Sequence, residues 1–403
     1  MEELFTLNVR HLDALLQVRQ LGSVSLAARA VNLSQPALAQ AIGKLEQLLS
    51  ARLFDRHPAG VSPTEAGLHF IDRTRRALRY LERGTQQIRR GAHMPAIPHI
   101  ERRITMSQLR ALVSVVATSS YAGAAAQTGL SQPSLHRAMR ELQAVVEVPL
   151  LMRAGRAIRP TDAAERLVHF VRLMLAELRA GTEEVAAMDS EPSGHVRVGV
   201  LPVARARFLP AVLADFCAQH PAASVEVIEG PYAELLSRLR QGDMDLLIGS
   251  YRESVPARDV IQEILFDDAL SVVGRAGHPL QGKRALSTED LLRHPWVAPA
   301  RGVPMRLHWE RLFESRGVEP PRLRVQCGSV MLMRGLMLEG DWLTLMSGDQ
   351  FLLESQAGKL VQIGSLGADF RRRIAVTRRA DWRPTPLQAN FVQMLRKAAS
   401  RKL

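Results

Sequence analysis

The residues of this chain best suited to chemistry sit in one short polar set: Ser34, Gln35, Ala37, Gln40 and Lys44, within LSQPALAQAIGKLEQLL. In the same stretch Leu38, Ile42 and Leu45 recur at steps of four and three, so they share one helix face and leave the polar set on the other. Ser34 is a good N-cap, and Pro36 is tolerated in a first helical turn. Glutamine can pair bidentately with adenine, alanine can touch a thymine methyl, and the major groove of DNA admits one helix. The chemistry that fits this face is the reading of base edges in duplex DNA. Arg52 and Arg56-His57 follow, just before Val61-Ser62-Pro63-Thr64, where a basic turn reaches phosphates. Taken alone, Gln35 and Gln40 are explained equally well as the solvated face of a helical bundle.

Repetition shifts that balance. LSQPSLHRAMRELQAVV begins at Leu130, 97 residues after its counterpart at Leu33. The same shift pairs Leu12 with Leu109, Ala27 with Ala124, Arg56 with Arg153 and Pro63 with Pro160, without a gap. The period is far longer than the roughly 20–50 residues of solenoid repeats, so a whole domain is duplicated. The second copy offers Ser131, Gln132, Ser134 and Arg137 on its helix and Arg153 and Arg156 in its wing. Lys44 of the first copy becomes Glu141, and Gln40 becomes Arg137.

The elements that position these residues follow from periodicity. Each copy reads as three helices and a small wing, the second and third helices forming a helix-turn-helix. Small residues at Ala27, Ala28 and Ala30 are expected to let the second helix cross the third closely. Gly123 in the second copy is expected to weaken its helix by about 1 kcal/mol. A charged helix follows each copy, with Ile71, Thr74, Leu78, Leu81, Thr85 and Ile88 at heptad-like spacing in the first, and Leu167, Val171, Met174, Leu178, Val185 and Met188 in the second. From His195 strands and helices alternate, which predicts a parallel sheet flanked by helices. The expected domains are 1–65 and 104–161 for the winged units, 66–91 and 162–189 for the linker helices, 92–103 for a flexible joint, and 190–403 for a two-lobed α/β domain. Its first lobe is placed at about 195–266 and 377–403 and its second at about 267–376.

GSVSLAARAVNLSQPALAQAIGKLEQLLSARLFDR with VSPTEAG closely resembles the N-terminal winged helix-turn-helix of LysR-type transcriptional regulators. YAGAAAQTGLSQPSLHRAMRELQAVVEVPLLMR with IRPTDAA resembles it too, so this chain departs from the family in carrying two such units. VRVGVLPVARARFLPAVLADFCAQHPAASVEVIEG and LSRLRQGDMDLLIGS resemble the family's effector-binding domain, a type 2 periplasmic-binding-protein fold. The resemblance implies a fold that is α/β overall, with two all-α winged units ahead of the effector domain. It implies a sequence-specific regulator, not an enzyme, whose linker helix joins reader to sensor and pairs two subunits. The partners implied are double-stranded DNA, a small-molecule effector, RNA polymerase and further copies of the chain, as dimer or tetramer.

In such a fold ligands bind beyond the carboxyl ends of strands. That places Pro202, Val203, Ser250, Tyr251, Pro299, Arg301, Ser329 and Ser347 at the cleft. Ser329 is read as a helix start whose free N–H groups suit an oxyanion, and Arg301 as a source of a charge-assisted bond.

Composition narrows the classes. A formal net charge of +13 favours a polyanionic partner. By count about +6 lies in residues 1–103 and about +1 in 104–190. Two cysteines exclude a disulfide framework and suit a reducing compartment. No signal peptide, no run of about 18–20 apolar residues and no Walker, H-E-x-x-H or G-x-S-x-G pattern is seen, so a cytoplasmic protein with no cofactor, metal site or membrane partner is expected. The rival classes are a solute-binding protein or enzyme on the same two-lobed fold, and a DNA-organising protein with a vestigial sensor.

Overall fold

The computed structural model describes residues 2–401 apart from 59, 155–156, 189–192, 284 and 367–369. It divides into two compact units, residues 1–195 with 241–243 and residues 196–240 with 244–403.

In the first unit the repeated sequence folds twice alike. The first copy runs α1 (Val9–Leu21), α2 (Val24–Ala30), α3 (Gln35–Leu49), β1 (Phe54–His57), β2 (Gly60–Pro63) and α4 (Glu65–Gly91). The second runs α5 (Met106–Thr118), α6 (Tyr121–Thr128), α7 (Gln132–Val146), β3 (Leu151–Ala154), β4 (Ala157–Pro160) and α8 (Asp162–Ala186). Ser34 and Ser131 cap α3 and α7, each accepting at 3.3 Å from the backbone N–H three residues on. Both helices end on a residue with positive φ, Ser50 and Glu147, again 97 positions apart. Leu12, Leu15, Leu38 and Leu45 and their counterparts Leu109, Leu112, Leu135 and Leu142 are all buried, and they belong to a single core spanning both copies. The β1–β2 hairpin docks on the end of α1: the Val61 N–H donates to the Gly22 carbonyl at 2.9 Å. A Cβ at Gly60 would meet that carbonyl oxygen at 2.5 Å, so this position of the wing needs glycine.

One expectation changes. Ala27 and Ala28 are buried as required for a close crossing, but Ala30 is exposed, at the end of α2 and off the crossing. Gly123 lies close to the end of α5: a Cβ there would come 3.0 Å from Thr118 Cβ.

The long helices α4 and α8 pack against each other within the chain. As α4 positions rise from Arg73 through Gly84 to Gly91, their contacts on α8 fall from Glu184 through Phe170 to Arg166, so the pair is antiparallel. The six expected seam residues of α4 are buried, as are those of α8 except Met188, which is 39% exposed and lies past the helix end. The family resemblance implied that the linker helix pairs two subunits; here α4 pairs instead with α8 of the same chain.

The second unit begins with β5 (Gly194–Val200), α9 (Phe208–Gln219), β6 (Ala223–Glu229), α10 (Tyr232–Arg240), β7 (Leu246–Ser250) and β8 (Val260–Ala269). Then come β9 (Ser271–Arg275), α11 (Thr288–Arg293), β10 (Val297–Ala298), α12 (Pro304–Glu314), β11 (Val325–Gln326) and α13 (Val330–Leu338). It ends with β12 (Thr344–Met346), α14 (Leu352–Gln356), β13 (Leu360–Ser365), β14 (Arg371–Arg379) and α15 (Pro386–Ser400). A five-stranded sheet in the order β6-β5-β7-β14-β8 serves the first lobe, whose core includes Val198, Phe216, Ile248, Ile374 and Phe391. The second lobe holds a three-stranded sheet, β12-β9-β13, and the pair β10-β11, over cores around Trp309 and Met337.

The expected parallel sheet is realised where β5 meets β7 and β10 meets β11; β14 lies antiparallel between β7 and β8. The strand β8 was absent from the sequence reading. Its segment VIQEILFDDA alternates poorly, and Ile261 and Ile264 stay 42% and 44% exposed, so only its pairing with β14 defines it. Together β8 and β14 carry the chain between the lobes.

Candidate nucleic-acid interface and ligand cleft

The capping of α3 by Ser34 starts the helix at Gln35 and so presents Gln35, Ala37, Gln40 and Lys44 to solvent, opposite the buried Leu38, Ile42 and Leu45. Gln35 is oriented: its Oε1 accepts from Ser25 Oγ at 2.9 Å, which leaves the amide N–H groups for an outside acceptor. The counterpart of Ser25 is Ala122, so Gln132 has no such hydroxyl. On α7, Ser131, Gln132, Ser134, Arg137 and Glu141 are likewise exposed. Arg137 Nε donates to Glu141 Oε1 at 2.8 Å along one helix face, and the Arg137 side chain is 77% exposed. His136 stacks on Tyr121 with ring centroids 3.5 Å apart, a contact the first copy cannot make because Ala39 and Val24 stand there. Arg52 and Arg56 are exposed, Arg56 lying on β1 opposite Val61; Arg153 is exposed on β3 opposite Ile158. Arg156 lies outside the described residues.

In the second unit a cavity of about 290 Å³ opens between the lobes. Leu201, Pro202, Val203 and Ser250 line it from the first lobe, and Pro299, Met305, Val330, Met333 and Met346 from the second. The strand-end rule therefore brings Pro202, Val203, Ser250 and Pro299 together. Tyr251 faces an adjoining cavity of about 480 Å³, shared with His308, Arg311 and Arg371 to Arg373. Ser329 is the N-cap of α13, its Oγ accepting from the Leu332 N–H at 3.3 Å; its neighbours Gly328 and Val330 line the first cavity. Ser347 is buried beneath the cavity, where its Oγ accepts from Arg372 at 3.0 Å. Arg301 stands apart: its side chain is 87% exposed, 4.0 Å from Glu310, over a separate groove.

Three cleft residues escaped the sequence reading: Tyr232, Arg252 and Arg372. The Arg252 guanidinium lies 3.7 Å over the Tyr232 ring. Its backbone is held on both sides by Gln262 of β8, at 3.1 Å and 2.7 Å. Tyr232 and Arg252 line this cavity, and Tyr232 OH and Arg252 Nε are buried with no hydrogen-bond partner among the described residues. Burial raises the Tyr232 pKa against the opposing pull of Arg252, so the phenol stays a neutral donor. Arg372 donates through Nε and Nη2 to Asp268 and through Nη2 to Ser347 and Gln350, at 2.6–3.0 Å; it ties β8 and β14 to the second lobe. His308 beside it is held below its ordinary pKa by burial and by Arg372 and Arg311. The run Arg371-Arg372-Arg373 was the available signal for this basic floor.

Comparison with known proteins follows the same division. Residues 189–400 match the LysR substrate binding domain, and residues 9–68 and 106–165 each match the bacterial regulatory helix-turn-helix of the lysR family. The chain is 30% identical over 389 residues to the HTH-type transcriptional regulator GalR of Pseudomonas putida, covering 96% of both. It is 27% identical over 300 residues to the HTH-type transcriptional regulator PcaQ of Agrobacterium fabrum, covering 74% of this chain and 96% of that one. Full-length OxyR from Pseudomonas aeruginosa, in a variant with one cysteine changed to aspartate, shares the fold with a TM-score of 0.56 at 19% identity, over 73% of this chain and 94% of that chain. CbnR, described as a LysR family transcriptional regulator, does so with a TM-score of 0.53 at 21% identity, over 72% and 98%.

Proposed function

The chain belongs to the LysR family of bacterial transcriptional regulators, and we propose that it reads DNA through both α3 and α7 and answers to a small organic ligand held between the lobes of its second unit. The carrying observation is the repeated geometry: two serine-capped helices in one chain, each with a buried leucine face and an exposed polar face, each followed by a wing bearing arginine. In this reading residues 1–65 and 104–161 are readers, 66–91 and 162–189 linkers, and 190–403 the sensor. Ser34, Gln35, Ala37, Gln40 and Lys44, with Ser131, Gln132, Ser134 and Arg137, face bases; Arg52, Arg56 and Arg153 face phosphates.

The ligand site is built from Pro202, Val203, Ser250, Pro299, Tyr232 and Arg252. The cavity lining is mostly apolar, and its wall includes a phenol and a guanidinium whose Tyr232 OH and Arg252 Nε lack a partner among the described residues, so an organic acid with an apolar body is the class that fits. The relatives named above are regulators, and we read this chain as a regulator without catalysis of its own. No single helix among the described residues is long and apolar enough to cross a membrane, and a protein that works on chromosomal DNA acts in the cytoplasm. Copies of the chain associate; with α4 and α8 engaged on each other, other surfaces make that contact.

Titration of the intact protein on genomic fragments tests the reading. Selective binding to a subset of fragments is expected, and its response to a panel of small aromatic and aliphatic carboxylates reads out the sensor. Equal affinity for all fragments would refute the regulator and favour a DNA-organising role.

A further inference from the structure

The two copies in the first unit are related as the halves of a two-fold dimer. Positions 84 and 181 correspond under the 97-residue shift, as do 73 and 170. A Cβ on Gly84 would lie 2.7 Å from Phe170 Cβ, and a Cβ on Gly181 would lie 3.0 Å from Arg73 Cβ, so the same pair of positions meets twice with the copies exchanged. The N-terminal turns behave likewise. The turn Glu2–Thr6 packs on α5, and its counterpart Ile100–Arg103 packs on α1. Contacts in which i meets j and j meets i are the mark of a two-fold interface.

The chemistry of that interface is one-sided. Arg73 donates to Glu184 at 3.0 and 2.5 Å and to Glu177 at 2.9 Å, with all three side chains under one-tenth exposed. The counterparts of Arg73, Glu177 and Glu184 are Phe170, Tyr80 and Gln87. In a pairing of α4 with another α4, Arg73 would face Tyr80 and Gln87. In a pairing of α8 with another α8, Glu177 and Glu184 would be buried against Phe170 with no cation. The charges therefore favour α4 with α8 and disfavour either helix with its own kind.

The readers differ as well. Gln40 and Lys44 on α3 are replaced on α7 by Arg137 and Glu141, which bond to each other while the Arg137 side chain stays largely exposed. Such an arginine suits the O6 and N7 of guanine, whereas Gln40 at the matching position of α3 suits adenine; Gln35 and Gln132 are common to both helices.

We propose that one chain, and not a symmetric pair of chains, is the unit that grips two half-sites, and that it reads a directional, non-palindromic sequence. The α3 half-site is adenine-centred and the α7 half-site guanine-centred, in fixed order. This rests on the reading of α3 and α7 as DNA readers. Its test is selection of binding sites from random duplex DNA by the full chain, repeated with the variant Ser134→Ala/Arg137→Gln/Glu141→Lys, which gives α7 the set of residues proposed to face bases on α3. All three substituted positions are exposed, and a melting curve checks that the variant is folded. The wild type should select two dissimilar half-sites in one orientation, and the variant an inverted repeat of the α3 half-site. A palindromic wild-type motif, or a variant motif identical to the wild type, would overturn the directional assignment while leaving DNA reading intact. Absence of any enriched sequence with the folded wild type would instead remove the DNA-reading premise, and the proposal with it.

Discussion

Arg73 is where the pairing of the two copies can be broken with one substitution. In Arg73→Met the apolar stem is kept and the guanidinium lost, so Glu177 and Glu184 stay buried on α8 with their strongest cation gone. Arg76, which donates to Glu177 at 3.0 Å, remains and is partly exposed. Removing one partner of a buried ion pair costs about 3–5 kcal/mol, because the charge left behind keeps its desolvation penalty. For a unit of this size each kcal/mol lowers Tm by about 2–4 °C, so a fall of about 6–20 °C in the first unfolding transition is expected. The triple variant Arg73→Met/Glu177→Leu/Glu184→Leu should recover most of that loss, since apolar replacement of a buried triad is often neutral or stabilising. The single variant should also recover on acidification, because protonation discharges the stranded carboxylates. Calorimetry of the three proteins between pH 5 and 8 reads all of this. A loss below about 1 kcal/mol for Arg73→Met, or a triple variant no better than the single, would refute the assignment of the triad as the determinant of helix pairing.

Other outcomes are set by exposure and charge. The first copy should dominate affinity, because residues 1–103 are more basic than 104–190 and Lys44 gives way to Glu141; Arg56→Ala should weaken DNA binding more than Arg153→Ala on the same operator, and the reverse order refutes this. Binding should fall steeply with salt, log K changing by about −0.9 per neutralised phosphate, and salt-insensitive binding would exclude the phosphate role of the wings. Tyr232→Phe and Arg252→Ala should abolish the response of the DNA complex to whichever carboxylate of the panel wild type answers, without changing basal DNA affinity; an unaltered response places the ligand elsewhere. Burial holds His278 and His308 below their ordinary pKa of 6.5, so the unfolded chain takes up these protons first and the second unit should lose stability as pH drops through that value. A His308→Asn variant that loses as much on acidification as wild type would show that His308 takes no part in this.

What the sequence made legible follows from how local each signal is. The reading helices announced themselves because cap, proline and leucine spacing all lie within one short segment, and the 97-residue repeat removed the ambiguity of a single amphipathic helix. The linker helices were legible as helices with a seam, but an apolar seam states only that a partner exists. What named the partner was polar: an arginine at position 73 where the second copy has phenylalanine, and glutamates at 177 and 184 where the first has tyrosine and glutamine. Comparing the copies for charge within the seam would have exposed this. In the second unit strand ends located Pro202, Val203, Ser250 and Pro299, because sheet topology places them whatever their chemistry. Arg252 and Tyr232 were missed because their meeting depends on Gln262 of β8, the strand whose pattern was too weak to read. Arg301 was placed at the cleft by proximity to Pro299, but the start of α12 turns it outward.

Joining the two readers in one chain changes what selection can act on. In a symmetric dimer every substitution appears in both halves, so a reading helix cannot change without changing both half-sites. Here Gln40 and Arg137, or Lys44 and Glu141, vary independently, and each half-site can drift alone. The linkage also removes a concentration requirement. Two units tethered by a short segment meet at an effective concentration in the millimolar range, far above that of a regulator in a cell. Pairing of the readers is then complete at any chain concentration, and association between chains is left free to serve a different purpose: bringing a second pair of readers to the same DNA, or responding to the ligand bound in the second unit.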